Sequence, residues 1–176
     1  MISSICYCQQ FDGVSISGSQ SSVVTAFRAK GYVIKRYFEN CVSMTGKLAG
    51  ENIEIYITNT PVSKKVFKIV VYFDTEDTWG ELKYSYIKYY QLLSNKYGSP
   101  NDKYSFFQDP YYDGDGYEMT AVQLKKCVYA AYWMNMGNLN VGLSISEFKQ
   151  IKIQYENIEL LNLLNKELSL IQQRSL

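Results

Sequence analysis

The chain has 176 residues, of which 47% are hydrophobic and 20% charged, so it can bury a core and does not have a disordered composition. Its formal net charge of +1 provides no strong field to draw nucleic acid or an anionic membrane. Histidine is absent, which excludes a Ser-His-Asp or Cys-His pair and any histidine-ligated metal within the chain.

Residues 1–10 are small, apolar and uncharged. They lack the basic start and long apolar run of a complete signal peptide but match the last part of one, so the domain proper is expected over 11–176. The competing reading is a disordered cytoplasmic leader. Cys6 and Cys8 do not have C-x-x-C spacing. Phe11 to Ser19 alternates between Gly13 and Gly18 and predicts a short strand or extended lead-in. Ser19 or Ser21 can cap a short helix carrying Val23, Val24 and Phe27 and closed by Gly31. Tyr32 to Tyr37 can form a strand.

Cys41 to Leu48, Asn52 to Thr58 and Val66 to Phe73 follow as strands, joined by Ala49-Gly50 and by the Asn59–Ser63 loop. Strands joined by short connections predict an antiparallel meander, and the 66–73 run is hydrophobic enough for a central strand. Asp77 or Thr78 caps a helix whose Trp79, Leu82, Tyr86, Tyr89, Tyr90 and Leu93 recur at three- and four-residue spacing, stopped by Gly98-Ser99-Pro100. Tyr104 to Phe107 predicts a strand, 108–116 a turn-rich loop, and 120–126 is ambiguous. Val128–Met134, Asn138–Ile145 and Gln150–Tyr155 predict strands, and Leu160 to Ile171 a terminal helix. No stretch is long and apolar enough to span a membrane.

The expected fold class is therefore α+β: antiparallel meanders with packed helices, arranged as two related helix-plus-sheet halves of about 11–100 and 101–176. The order of landmarks repeats. Cys41, Asn52 and Phe67-Lys68 correspond to Cys127, Asn138 and Phe148-Lys149, at offsets of about 86 residues and, for Phe-Lys, about 81. Cys41 and Cys127, each at the start of a strand-like run, read as core thiols, with a disulfide between them as the alternative.

The stretch 104–118 is the most distinctive. Phe106, Phe107, Tyr111, Tyr112 and Tyr117 form an aromatic set beside acids, a composition suited to protein or glycan contact because tyrosine offers large contact area at low entropic cost. The alternative is that half of them pack beneath the loop. Asp109, Asp113, Asp115 and Glu118 are oxygen ligands of the kind Ca²⁺ takes, but their spacing departs from the EF-hand pattern, and turn formation accounts for them as well. No cofactor is implied and no catalytic residue stands out.

Phe11-Asp-Gly-Val-Ser-Ile-Ser-Gly18, the helix ending in Lys30-Gly31-Tyr32, the Gly46-Lys-Leu-Ala-Gly50 segment and the stop Lys96-Tyr-Gly-Ser-Pro100 resemble an uncharacterised family common in Bacteroidetes. The resemblance spans most of 11–156; its motifs are structural, and it implies no activity or site residue. The tandem helix-plus-sheet order is also similar to the β-lactamase-inhibitor-protein architecture, in which two repeats present a concave sheet to a partner; this implies a fold, not a function.

These observations lead to the expectation of a non-catalytic extracytoplasmic binding module, in the periplasm or envelope, with a protein or glycan partner and no nucleic acid. Two alternatives stand beside it: a cytoplasmic accessory or immunity-like protein, and a His-free hydrolase using two acids across a cleft.

Overall fold

The computed structural model describes residues 9–174. The signal-remnant reading of the leader and the readings of Cys6 and Cys8 fall largely or wholly outside them. Gln9 and Gln10 are part of the fold: the Gln9 carbonyl accepts from Ile16 N–H at 2.9 Å, and its side-chain oxygen accepts from Asn157 Nδ2 at 2.7 Å.

The fold is α+β. A hairpin of β1 (Gln10–Phe11) and β2 (Val14–Ser15) precedes α1 (Gln20–Ala29), β3 (Val33–Phe38), β4 (Cys41–Leu48), β5 (Glu51–Asn59) and β6 (Val66–Thr75). The order helix then four strands follows again: α2 (Trp79–Tyr97), β7 (Asp102–Phe107), β8 (Cys127–Trp133), β9 (Leu139–Ile145) and β10 (Gln150–Asn157), with α3 (Glu118–Gln123) between β7 and β8 and α4 (Ile158–Arg174) at the end. The larger sheet has eight strands in the order β3-β4-β5-β6-β10-β9-β8-β7, which places β3 and β7 at its edges.

Local chemistry accounts for most boundaries. Ser19 caps α1 by accepting from Ser22 N–H. Thr78 and Glu81 form a reciprocal capping box at α2: the Thr78 hydroxyl accepts from Glu81 N–H and the Glu81 carboxylate accepts from Thr78 N–H. Gly98, at φ 83°, ends that helix. Two expectations change. Phe11–Ser19 is not one strand but a hairpin, because Asp12 and Gly13 both take positive φ (48° and 71°), as a two-residue turn between right-twisted strands requires. Of the ambiguous 120–126 stretch, residues 120–123 belong to the short helix α3, which starts without a side-chain cap, and 124–125 follow it as a turn.

Contacts divide the chain into two compact units, residues 9–70, 135–140 and 155–174, and residues 71–134 and 141–154. In the first, alternate residues of β5 (Ile53, Ile55, Ile57) and β6 (Phe67, Ile69) are buried, as is Phe27 of α1. Phe27 packs against Tyr32 (5.1 Å between centroids) and Phe11 (6.1 Å), and Phe11 against Tyr155 (5.6 Å). A buried carboxylate on α4, Glu167, accepts from Val62 N–H (2.8 Å) and Ser63 N–H (3.1 Å), tying down the β5–β6 loop. In the second unit, Leu82, Tyr86, Tyr89 and Leu93 of α2 bury with Phe73, Ala131, Trp133, Val141, Leu143, Ile151 and Ile153. Phe73 meets Tyr89 at 4.2 Å, and Trp133, fully buried, donates its indole N–H to Gly98 O at 2.7 Å.

Cys41 and Cys127 are free thiols, so the disulfide alternative is not realised. Burial raises both above the ordinary thiol value, Cys127 to about 12, which makes them inert rather than reactive.

Candidate functional site

The two faces of the second unit's sheet differ in what covers them. Strand alternation sends Cys127, Tyr129, Ala131 and Trp133 to the α2 side: Tyr129 meets Trp79 (5.2 Å) and Tyr86 (5.4 Å), and Trp133 meets Tyr90 (6.1 Å). Val128, Ala130 and Tyr132 therefore face the other way. Register aligns Tyr104 with Ala130 and Phe106 with Val128 from β7, and Ser144 with Ala130 and Gly142 with Tyr132 from β9. On β10, Gln154 joins this face, because its side chain lies where a Cβ on Gly142 would meet it at 3.0 Å.

The result is an aromatic rim above a floor of small residues. Tyr104 and Phe106 are 43% and 46% exposed, and Tyr104 stands edge-on to Tyr132 at 6.4 Å. Ala130, Gly142 and Ser144 keep the floor low, and an open groove of about 230 Å³ runs over Val128, Ala130, Tyr132 and Ser144. It also includes Lys125 and Glu147, which pair at 3.0 Å. The Glu147 carboxyl is held below its usual range by a backbone hydrogen bond and by Lys125.

The aromatic set read from the sequence is split by this geometry. Phe106 lies on the open face. Phe107, its neighbour, points to the opposite face, against Trp79 (5.3 Å) and Tyr129 (6.2 Å). Tyr112 and Tyr117 are exposed in the loop after β7, and Tyr111 is half-buried there. Tyr104, Tyr132 and the small-residue floor were not singled out as site residues by sequence reasoning. The only sequence signal for them is the alternation within 104–107 and 128–134, which becomes informative once the strand pairing is known.

The loop acids hold the loop itself. Asp113 accepts from Trp79 Nε1 at 2.8 Å and from Lys83 Nζ at 2.5 Å; the bond to Lys83, then that to Trp79, holds its carboxyl below the ordinary range. Asp115 accepts from the backbone N–H groups of Tyr112 (3.0 Å) and Tyr117 (2.7 Å). Glu118, buried, accepts from Gly114 N–H at 2.7 Å. Asp109 precedes Pro110, and its carbonyl accepts from Lys126 Nζ at 3.4 Å. Among the described residues no group of three His, Cys, Asp or Glu side chains is placed to hold a metal ion, and no helix is long and apolar enough to cross a membrane.

Comparison of the chain with protein-family models, with curated proteins and with solved structures returns no match.

Proposed function

We propose that this protein is a non-catalytic binding module that takes a protein partner on the open sheet face of its second unit. The observation that carries the reading is the grouping of Tyr104, Phe106 and Tyr132 around the floor of Ala130, Gly142 and Ser144. Rigid aromatic side chains held at fixed strand spacing beside small residues give a partner both contact area and room to approach. Carboxylate chemistry gains no support from the acids whose titration is displaced. Asp113, Glu147 and Glu167 all move down, whereas a general acid needs an upward shift.

The test is capture by the tagged full chain from envelope and cytosolic extracts, beside a Tyr104→Ala/Phe106→Ala/Tyr132→Ala variant and a Tyr112→Ala/Tyr117→Ala variant, each checked for folding by circular dichroism. A near-stoichiometric protein lost by the triple variant and kept by the loop variant supports the face. Equal capture by the triple variant rejects it, and a glycan retained on an array without any captured protein redirects the reading to carbohydrate.

The envelope, expected from the sequence, is the first location to test for this module. The unpaired Cys41 and Cys127 favour a second reading, a cytoplasmic accessory protein, since reducing compartments keep cysteines unpaired. Cell fractionation separates the two.

A further inference from the structure

The edge of β7 is open. β7 ends the sheet order, and among the described residues it pairs with β8 alone, from Asp102–Tyr132 to Phe107–Cys127, without a register shift. Gln108 N–H donates to Lys126 O at 2.7 Å, one step beyond the Phe107–Cys127 pair. In an antiparallel ladder, hydrogen-bonded pairs alternate with non-bonded ones. Tyr104 and Phe106 therefore turn their backbone groups toward β8, and Lys103, Ser105 and Phe107 turn theirs outward. Edge strands are ordinarily blunted by a central charge, a proline or a bulge. Residues 104–107 of β7, Tyr-Ser-Phe-Phe, have none of these.

We infer that the β7 edge is a self-association surface, on which a second copy of this chain pairs antiparallel about a two-fold axis through Ser105. The register follows from the strand's own sequence. With the axis at Ser105, the outward groups of Lys103, Ser105 and Phe107 meet those of Phe107, Ser105 and Lys103 in the second copy. On the open face Tyr104 then stands opposite Phe106 of the second copy, and Phe106 opposite Tyr104, giving two cross-strand aromatic pairs. No like charges oppose one another: Lys103 faces Phe107, and Asp102 faces Gln108. Moving the axis to Tyr104 sets Asp102 against Phe106, and moving it to Phe106 runs Asp102 into Pro110. Ser105 is thus the register that pairs the exposed aromatics with each other and keeps the contact within the strand. The inference goes beyond the face reading and can fail separately from it, because edge pairing uses backbone groups that a partner on the face leaves free.

Sedimentation equilibrium of the full chain across the micromolar range tests it. The expected apparent mass rises with concentration from 20.3 kDa toward twice that value. Ser105→Pro removes only an outward N–H, which an edge strand tolerates, so it should remain at 20.3 kDa with unchanged circular dichroism. Ser105→Lys and Ser105→Glu should each be monomeric alone, because like charges face across the axis, and should regain the dimer when mixed. A wild-type chain that stays monomeric overturns the proposal. So does a dimer that survives in Ser105→Pro, and so does a Lys/Glu mixture that fails to associate. Ser105→Pro leaves Tyr104, Phe106 and Tyr132 in place, so its capture of a protein partner reports on the face reading independently.

Discussion

The two edge strands of the sheet are built on opposite principles. β3 in the first unit carries Lys35 and Arg36 at its centre. Its pairing with β4 skips from Ile34–Met44 to Arg36–Ser43, so Lys35 sits in a register shift, where it pairs with Glu54 at 2.7 Å. A charge and a bulge at one position deny an incoming strand both flatness and apolar contact. β7 in the second unit keeps its charges at its start, Asp102 and Lys103, and runs regularly through Tyr104, Ser105, Phe106 and Phe107. Exposure does not separate the two strands, since β3 also shows Val33 and Tyr37 to solvent. What distinguishes the two edges is backbone regularity and charge placement rather than apolar content.

The most destabilising way to break the comparison is from beneath β7. Trp133 is fully buried on the α2 side of β8 and holds Gly98 O through its indole N–H. Trp133→Ala removes the largest fully buried side chain and leaves a cavity and an unpaired carbonyl, and should cost about 3–5 kcal/mol in a urea titration. Self-association should vanish with it if the β7 edge depends on a firm platform.

The corresponding change in the first unit is smaller. Gly46 on β4 is pressed against the ring of Tyr32: an added Cβ would sit 2.5 Å from Tyr32 Cδ1. Tyr32 cannot easily give way, because its hydroxyl donates to Asp12 at 3.1 Å and its ring packs on Phe27. Gly46→Ala should therefore cost about 1–3 kcal/mol by overpacking. It should loosen the start of β3, read as faster amide exchange at Val33 and Ile34.

Glu167 sharpens the contrast through pH. Burial raises its carboxyl, but the hydrogen bonds from Ser63, Val62 and Thr60 outweigh that and hold it below the ordinary glutamate value. A depressed folded value means that the contribution is complete above the unfolded value and is lost as pH falls through the folded one. Glu167→Gln should cost about 1–2 kcal/mol at neutral pH, since an amide can satisfy only one of the two loop N–H groups with its oxygen. The gap between wild type and variant should narrow below the usual carboxylate range. A gap that does not change with pH would show that the carboxylate's charge contributes nothing.

Most elements were legible in the sequence, because local signals there agree with the tertiary fold. The alternation of 52–58 and 66–73, the Thr78 cap with Glu81, and the Gly98 stop all state their structure within a few residues. The edges were not legible, because pairing order is non-local: Tyr104–Phe107 reads as an ordinary apolar strand until β8 is known to lie on one side only. The candidate site was hidden for the same reason. Phe106 and Phe107 look equivalent in sequence yet alternate to opposite faces. Ala130, Gly142 and Ser144 contribute by being small, a property that carries no signal until Tyr104 and Tyr132 are placed around them.

The smallest expected effect comes from removing the charges of β3. Lys35 and Arg36 are solvent-facing, and exposed ion pairs such as Lys35–Glu54 contribute about 0–1 kcal/mol, so Lys35→Thr/Arg36→Thr should shift monomer stability by no more than about 0.5 kcal/mol. The informative measurement is association in a Ser105→Pro background, where β3 is the remaining edge strand of the eight-stranded sheet. If the register shift between Ile34 and Arg36 is the main obstacle, the chain stays at 20.3 kDa, since its outward backbone groups still cannot meet a straight strand. If removing the charges alone produces a dimer, charge rather than bulge closes β3, and the openness of β7 is then due to its uncharged centre.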